Sequence, residues 1–307
     1  MSRLTVTGRG SIKTWECDQW GHLNVQFYQA RASDALAVLS FQLGLTPSRQ
    51  RATGVILLPV TDRILFRREL RAGDILFVRS GVRAIATDGT LDVASRMINR
   101  ETGIESAAFE TRLRLVAPGS GEGLPWPDDM LAAAAARAGD LLEAPPPPQM
   151  AVVVPPQQQV DRLLLTYRGS VETWECGPGG IAEPRAHIAR FNDAITHLFR
   201  AMKIDRGELF ASGLGSAALD YAITYRQPLR AGQAVEIRSG VLAVGDKVYH
   251  LVHHVVDAAT GAVLTTILVA ALFFDLAARK SVAIPEAVRR EAEGLIASTT
   301  AAMPEAR

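Results

Sequence analysis

Arg9-Gly10-Ser11-Ile12-Lys13-Thr14-Trp15-Glu16-Cys17 returns as Arg168-Gly169-Ser170-Val171-Glu172-Thr173-Trp174-Glu175-Cys176, at an offset of 159 (15 to 174). The same offset relates Leu70-Arg71-Ala72-Gly73 to Leu229-Arg230-Ala231-Gly232, and Arg79-Ser80-Gly81-Val82 to Arg238-Ser239-Gly240-Val241. It slips by one between Thr102-Gly103 and Thr260-Gly261. Several tetrapeptides in one register mark a duplication, so each half is expected to be one copy of the same domain.

Between the copies, residues 118–162 carry Pro145 to Pro148, Pro155-Pro156 and Gln157 to Gln159, a composition that favours an extended linker over packed structure. The expected division is 1–117, a linker over 118–162, and 163–307. Inside the linker Pro127-Asp128-Asp129 opens an Ala-rich stretch, as Pro285-Glu286 opens Ala287 to Ala297 near the C-terminus. Proline at the first helical position with acids in the first turn is a helix start, so a helix is predicted at the end of each repeat.

The element order repeats too. A strand ending at Trp15 or Trp174 leads through a loop to a long helix, Asn24 to Leu43 in one copy and Arg185 to Met202 in the other. Strands follow at Val55 to Val60, Ile64 to Phe66, Ile75 to Ala86, Leu91 to Asn99 and Ile104 to Val116, separated by Gly73, Asp88-Gly89 and Thr102-Gly103. One helix followed by an antiparallel sheet gives an α+β fold with the helix buried on one sheet face. Phe109 to Leu115 alternates, as a strand with one wet face does, whereas its counterpart Thr266 to Phe274 does not, so both its faces should be covered. A second molecule, as a homodimer, and the linker or C-terminal helix of the same chain are both open as the cover.

The loop of the first copy reads Cys17-Asp18-Gln19-Trp20-Gly21-His22-Leu23-Asn24 and runs into Val25-Gln26-Phe27-Tyr28. Asp-x-x-Gly-His-x-Asn with a tyrosine four residues on resembles the hot-dog acyl-CoA thioesterases of the 4-hydroxybenzoyl-CoA thioesterase type. The resemblance implies two tandem hot-dog domains, each a long helix wrapped by an antiparallel sheet, paired as a pseudo-dimer. It implies Asp18 as the group that attacks the thioester or activates water, with Gly21, His22, Asn24 and Tyr28 around the substrate. The residue chemistry agrees: a thioester needs an oxygen nucleophile or base, and a polariser for the carbonyl. An aspartate supplies the first at neutral pH, and the unpaired amides of the helix beginning near Asn24 supply the second.

Each residue also has a plainer reading. Asp18 serves as a turn residue, His22 as a hydrogen-bonding brace, Asn24 as a helix cap and Tyr28 as core packing. Trp15 and Trp174 recur in both copies, which favours packing. Arg31 and Asp34 recur as Arg190 and Asp193, suggesting an ion pair or a helix contact; Asp34 is a second catalytic candidate. Cys17 reads as an inert small side chain. In the second copy Asp18 aligns with Gly177, His22 with Ile181, Asn24 with Glu183 and Tyr28 with His187, so the motif is lost there.

Composition sets outer bounds. Among 307 residues, 33 Lys and Arg balance 32 Asp and Glu for a net charge of +1, which argues against nucleic acid as a partner. Hydrophobic residues make up 48%, ample for a core. The longest mostly apolar run, Ala262 to Phe274, is too short to span a bilayer and the N-terminus lacks a signal-type apolar segment, so no membrane association and a cytoplasmic location are expected. Two cysteines and six histidines show no zinc-ligand spacing, so no metal is expected, and the thioesterase resemblance implies no cofactor. The expected function is hydrolysis of an acyl-CoA to acid and CoA. A non-catalytic acyl-CoA or acyl-ligand binder, suggested by the degenerate second loop, and a hot-dog dehydratase or hydratase are the alternatives.

Overall fold

Tyr28, Ala32, Ala35 and Leu39 recur three or four residues apart and form the buried stripe of a helix. In the computed structural model, which describes residues 4–117, 121–138 and 157–300, that helix is α1, Val25–Gln42. The elements run β1 (Thr5–Ser11), α1, α2 (Pro47–Thr53), β2 (Ile56–Phe66), β3 (Ile75–Ile85), β4 (Thr90–Asn99), β5 (Glu105–Val116) and α3 (Asp128–Ala135). They continue as α4 (Gln157–Val160), β6 (Leu164–Ser170), α5 (Pro184–Ala201), α6 (Arg206–Ala211), β7 (Leu214–Tyr225), β8 (Ala234–Val244), β9 (Val248–Asp257), β10 (Val263–Asp275), β11 (Lys280–Val282) and α7 (Glu286–Thr300). This is a mixed fold of two tandem hot-dog halves.

Two compact units can be drawn. Among the described residues the first holds those up to 138 with Glu172–Ile188 and Gln227–Ala231, and the second holds 157–171, Ala189–Arg226 and 232–300. In the first unit the antiparallel strand order is β1-β3-β4-β5-β2, with α1 against β1, β3 and β4. Leu39 of α1 and Leu43, which caps its end, meet Val82, Leu91, Val93, Leu113 and Leu115 of the sheet in one core. Helix α3, expected in the linker, closes that core: Trp126, Met130 and Ala134 are buried in it. The Trp126 indole N–H donates to the Gly89 carbonyl at 2.8 Å. The proline-rich stretch at Pro145 to Pro148 and Pro155-Pro156 lies outside the described residues.

The strands expected at Val55 to Val60 and Ile64 to Phe66 are one strand, β2, irregular in register between Pro59 and Thr61. The polar residues between the two expected strands include a buried group. Asp62, 2% exposed, accepts from the Gln29 side-chain amide at 3.2 Å and from the Thr111 hydroxyl at 2.5 Å. A carboxylate so satisfied is compatible with a continuous strand.

The second unit orders its strands β7-β10-β9-β8-β6, with β11 on β10 and α7 against β8. β10 is buried on both faces over Leu264 to Val269, as its lack of alternation predicts. On one face Phe191 of α5 packs edge-on against His253. On the other, Leu163 covers a cross-strand row of Ala222, Leu268 and Val252. The same leucine sits over Gly240, where an added Cβ would lie 2.6 Å from it, so part of the cover comes from the chain itself. Among the described residues no helix is long and apolar enough to cross a membrane.

Candidate functional site

The Thr14–Glu16 turn enters the candidate loop with Glu16 buried. Glu16 accepts from the Lys13 amide at 2.8 Å and from the Arg31 guanidinium at 2.7 Å. Arg31 therefore pairs with the turn, and Asp34 stays exposed. The i,i+3 spacing that suggested an Arg31–Asp34 pair is outcompeted by a carboxylate that is buried and otherwise unneutralised. Trp15 and Trp174, expected to pack, are 74% and 76% exposed. What recurs with them is the tight turn, which turns Glu16 inward and leaves the neighbouring tryptophan facing solvent.

Asp18, Gly21 and His22 come together in one hydrogen-bonded turn. The Asp18 amide donates to the His22 carbonyl at 2.7 Å and the Gly21 amide to the Asp18 carbonyl at 3.0 Å. The Asp18 side chain closes the turn a second time: its Oδ1 accepts from the amides of Trp20 at 2.9 Å and His22 at 3.1 Å. Among the described residues no donor reaches Oδ2. Gly21 holds φ at 76°, with open space where a Cβ would stand, so glycine avoids strain there and leaves the approach to the turn clear.

The loop is braced from outside. His22 forms a bridge with Arg71, and the Leu23 amide donates to the Leu70 carbonyl at 2.7 Å. His22 Nε2 lies 2.9 Å from Arg71 Nη2 and 3.4 Å from Glu69 Oε2, while Arg71 and Glu69 pair at 2.8 Å. This arrangement occupies His22 as a brace. Asn24 caps α1, its side chain accepting from the Gln26 amide at 3.1 Å. The Val25 amide, first of the helix, meets no acceptor among the described residues, so it carries the positive end of the helix outward.

Tyr28 faces the interior, 4% exposed. Its hydroxyl donates to the Arg68 carbonyl at 3.3 Å and accepts from the Leu70 amide at 3.1 Å, and its ring meets Phe66 edge-on at 5.3 Å. Burial raises its pKa well above the ordinary phenol value, so it is a neutral hydrogen-bonder. The tyrosine thus fixes the 68–70 segment, whose next residues brace His22. Cys17 rests near the Lys13 carbonyl at 3.5 Å, and burial raises its thiol pKa.

The loop of the second repeat keeps the backbone frame without the acid. The Gly177 amide donates to the Ile181 carbonyl at 2.9 Å, Cys176 bridges Ala182, Ile181 bridges Arg230, and Gly180 repeats the positive φ of Gly21. The turn therefore forms without a carboxylate at its second position. The sequence reading missed the buried Gln29–Asp62–Thr111 cluster; an Asp inside an apolar strand and a Gln on a buried helical stripe were its only signals. Among the described residues no group of His, Cys, Asp and Glu is gathered to hold a metal ion.

Comparison with known proteins follows the same two halves. The sequence profile of the Thioesterase-like superfamily matches residues 12–134 and 171–291. Among solved structures, the 12:0-ACP thioesterase from Umbellularia californica superposes with a TM-score of 0.70 at 9% identity, over 89% of this chain and 95% of that one. An acyl-ACP thioesterase from Bacteroides thetaiotaomicron superposes with a TM-score of 0.63 at 10% identity, over 89% and 98%. At such identities the likeness is one of fold. No curated protein matches the chain.

Proposed function

Because the chain belongs to the Thioesterase-like superfamily, we propose that it hydrolyses an acyl-CoA thioester to the free acid and CoA, with Asp18 as the reacting carboxylate, in the manner of the 4-hydroxybenzoyl-CoA type. One observation carries this reading: two backbone amides fix Oδ1 of Asp18, and among the described residues Oδ2 is left without a donor. A held carboxylate with one free oxygen is preorganised for attack or for proton abstraction. The loop of the second repeat supports it, since the same backbone turn closes with Gly177 in that place.

The Val25 amide at the tip of α1 is the donor suited to the thioester oxygen, whose negative charge grows as the carbonyl carbon becomes tetrahedral. Collapse of that intermediate breaks the C–S bond. As a base, Asp18 takes a proton from the attacking water and returns it to the leaving thiolate. As a nucleophile, it forms an acyl anhydride that water then opens. His22, held by Arg71 and Glu69, keeps the turn in place, Asn24 caps the helix so that its tip stays formed, and Gly21 keeps the approach open. Tyr28 acts at one remove, through the 68–70 segment.

Release of CoA thiol from a panel of acyl-CoAs tests the activity. An acyl-ACP belongs in the same panel, because proteins of similar fold bear that name. Label in the Asp18 carboxylate after single turnover in H₂¹⁸O shows a nucleophile whose anhydride opens at the aspartyl carbon; a base, or opening at the acyl carbon, puts label only in the product acid. Binding of acyl-CoA with no thiol release above background would move the chain to the ligand-binding alternative.

A further inference from the structure

On the outer face of β1 and β3, a cleft of about 170 Å³ is lined by Val6, Arg9, Ile75, Phe77, Arg79 and Arg100. Its three arginines have no acidic partner among the described residues. The acids of the neighbouring strands are already taken. Glu110 accepts from Arg83 and Arg96, Asp92 accepts from Arg112, and Glu105 forms an ion pair with Arg67. Arg79 lies instead over the Phe77 ring, 5.2 Å from its centroid.

The second repeat shows what the same strand positions do when an anion is present. Arg9 opposes Phe77 across β1 and β3, as Arg168 opposes Glu236 across β6 and β8. Arg79 and Arg238 stand two residues further along, on the same face as Phe77 and Glu236. In the second unit Glu236 accepts from Arg168 Nε at 3.0 Å and from Arg238 Nη2 at 2.8 Å. There the two guanidiniums converge on a carboxylate supplied by the chain, whereas the first repeat keeps both arginines, adds Arg100, and replaces the carboxylate by a phenyl ring.

We propose that this cleft of the first repeat binds the phosphoryl group of an organic phosphate, with Arg9, Arg79 and Arg100 as its ligands and Val6, Ile75 and Phe77 as an apolar floor for the attached organic part. Guanidinium forks suit phosphate oxygens and form charge-assisted hydrogen bonds to them. Whole-ligand pockets measure roughly 300–1,000 Å³, so a cleft of about 170 Å³ takes a phosphoryl or diphosphoryl group and leaves the rest of the ligand outside. Two sources share this chemistry: the phosphorylated end of a CoA substrate, and a free nucleotide or sugar phosphate. The first source rests on the proposed thioesterase reading; the site itself does not.

The test is titration calorimetry of the full chain with inorganic diphosphate and with adenosine 3′,5′-bisphosphate at low ionic strength. Phe77→Glu rebuilds the arrangement of the second repeat and places a carboxylate between Arg9 and Arg79. The wild type is expected to bind saturably, and Phe77→Glu to weaken binding on the order of ten-fold or more, whereas the uncharged Phe77→Gln retains most of it. Arg9→Gln combined with Arg79→Gln should weaken it as Phe77→Glu does, a check that does not depend on how the new carboxylate packs. An absence of saturable heat in the wild type, or equal affinity in all the variants, overturns the proposal. In turnover, a KM raised by Phe77→Glu for an acyl-CoA but not for the matching acyl-pantetheine assigns the phosphate to the substrate. Weakened diphosphate binding with both KM values unchanged supports the same site with a free phosphate as its ligand.

Discussion

Replacing Asp18 separates chemistry from architecture, because its two oxygens have different surroundings. Asp18→Asn keeps an oxygen able to accept from the Trp20 and His22 amides, so the turn should persist. Asp18→Ala removes the acceptor of both bonds. At about 0.5–1.5 kcal/mol for each net hydrogen bond, its loss is about 1–3 kcal/mol of stability, whereas Asn should stay within roughly 1 kcal/mol of wild type. If Asp18 is the nucleophile or base, both variants lose the reacting carboxylate. Removal of such a group slows turnover about 10²–10⁴-fold, which is about 2.7–5.5 kcal/mol of barrier at 1.36 kcal/mol per decade. Thiol release with an acyl-CoA gives the rate and chemical denaturation gives the stability, measured on the same preparations. The expected pattern is two slow enzymes of which only one is destabilised. An Asn variant as fast as wild type, or rates that follow stability across the pair, would reduce Asp18 to a turn residue and pass the role to a rival such as Asp34.

Other tests probe the frame around the site. Tyr28→Phe leaves the Leu70 amide without its acceptor in a buried place, so denaturant unfolding should show a loss of about 1–3 kcal/mol; unchanged stability with a raised KM would place the hydroxyl against substrate instead. Met130→Ala, at a side chain 1% exposed in the core of the first unit, should cost about 2–5 kcal/mol, which a detachable helix in a linker would not. Burial lowers the pKa of His253 to about 3 and of His254 to about 4. Both pKa values fall below the ordinary value near 6.5, so the unfolded chain takes up protons first as pH drops. The stability these neutral rings permit is whole above about pH 6.5 and is lost toward pH 4, at about 1.4 kcal/mol per pH unit for each ring. Unfolding free energy measured from pH 7 to 5 should show a shallower slope in His254→Leu; an unaltered slope assigns the acid sensitivity to other groups.

Local sequence sufficed wherever a feature depended on spacing or on the loss of a residue type. The 159-residue offset (15 to 174), the helix starts at Asn24 and Pro127, the glycine turns and the absence of an acid at Gly177 are all read along the chain. The side-chain period distinguishes helix from strand without knowledge of neighbours. Partner choice is another matter. Tyr28 meets the carbonyl of residue 68 and the amide of residue 70, Glu16 takes Arg31 from Asp34, Asp62 sits inside a strand because Gln29 and Thr111 satisfy it, and Phe77 stands between two arginines that hold a glutamate in the other repeat. Each of these depends on strand register and on which buried polar group lacks a partner. Such quantities arise only when distant segments fold together and lose water, so tertiary structure decided them.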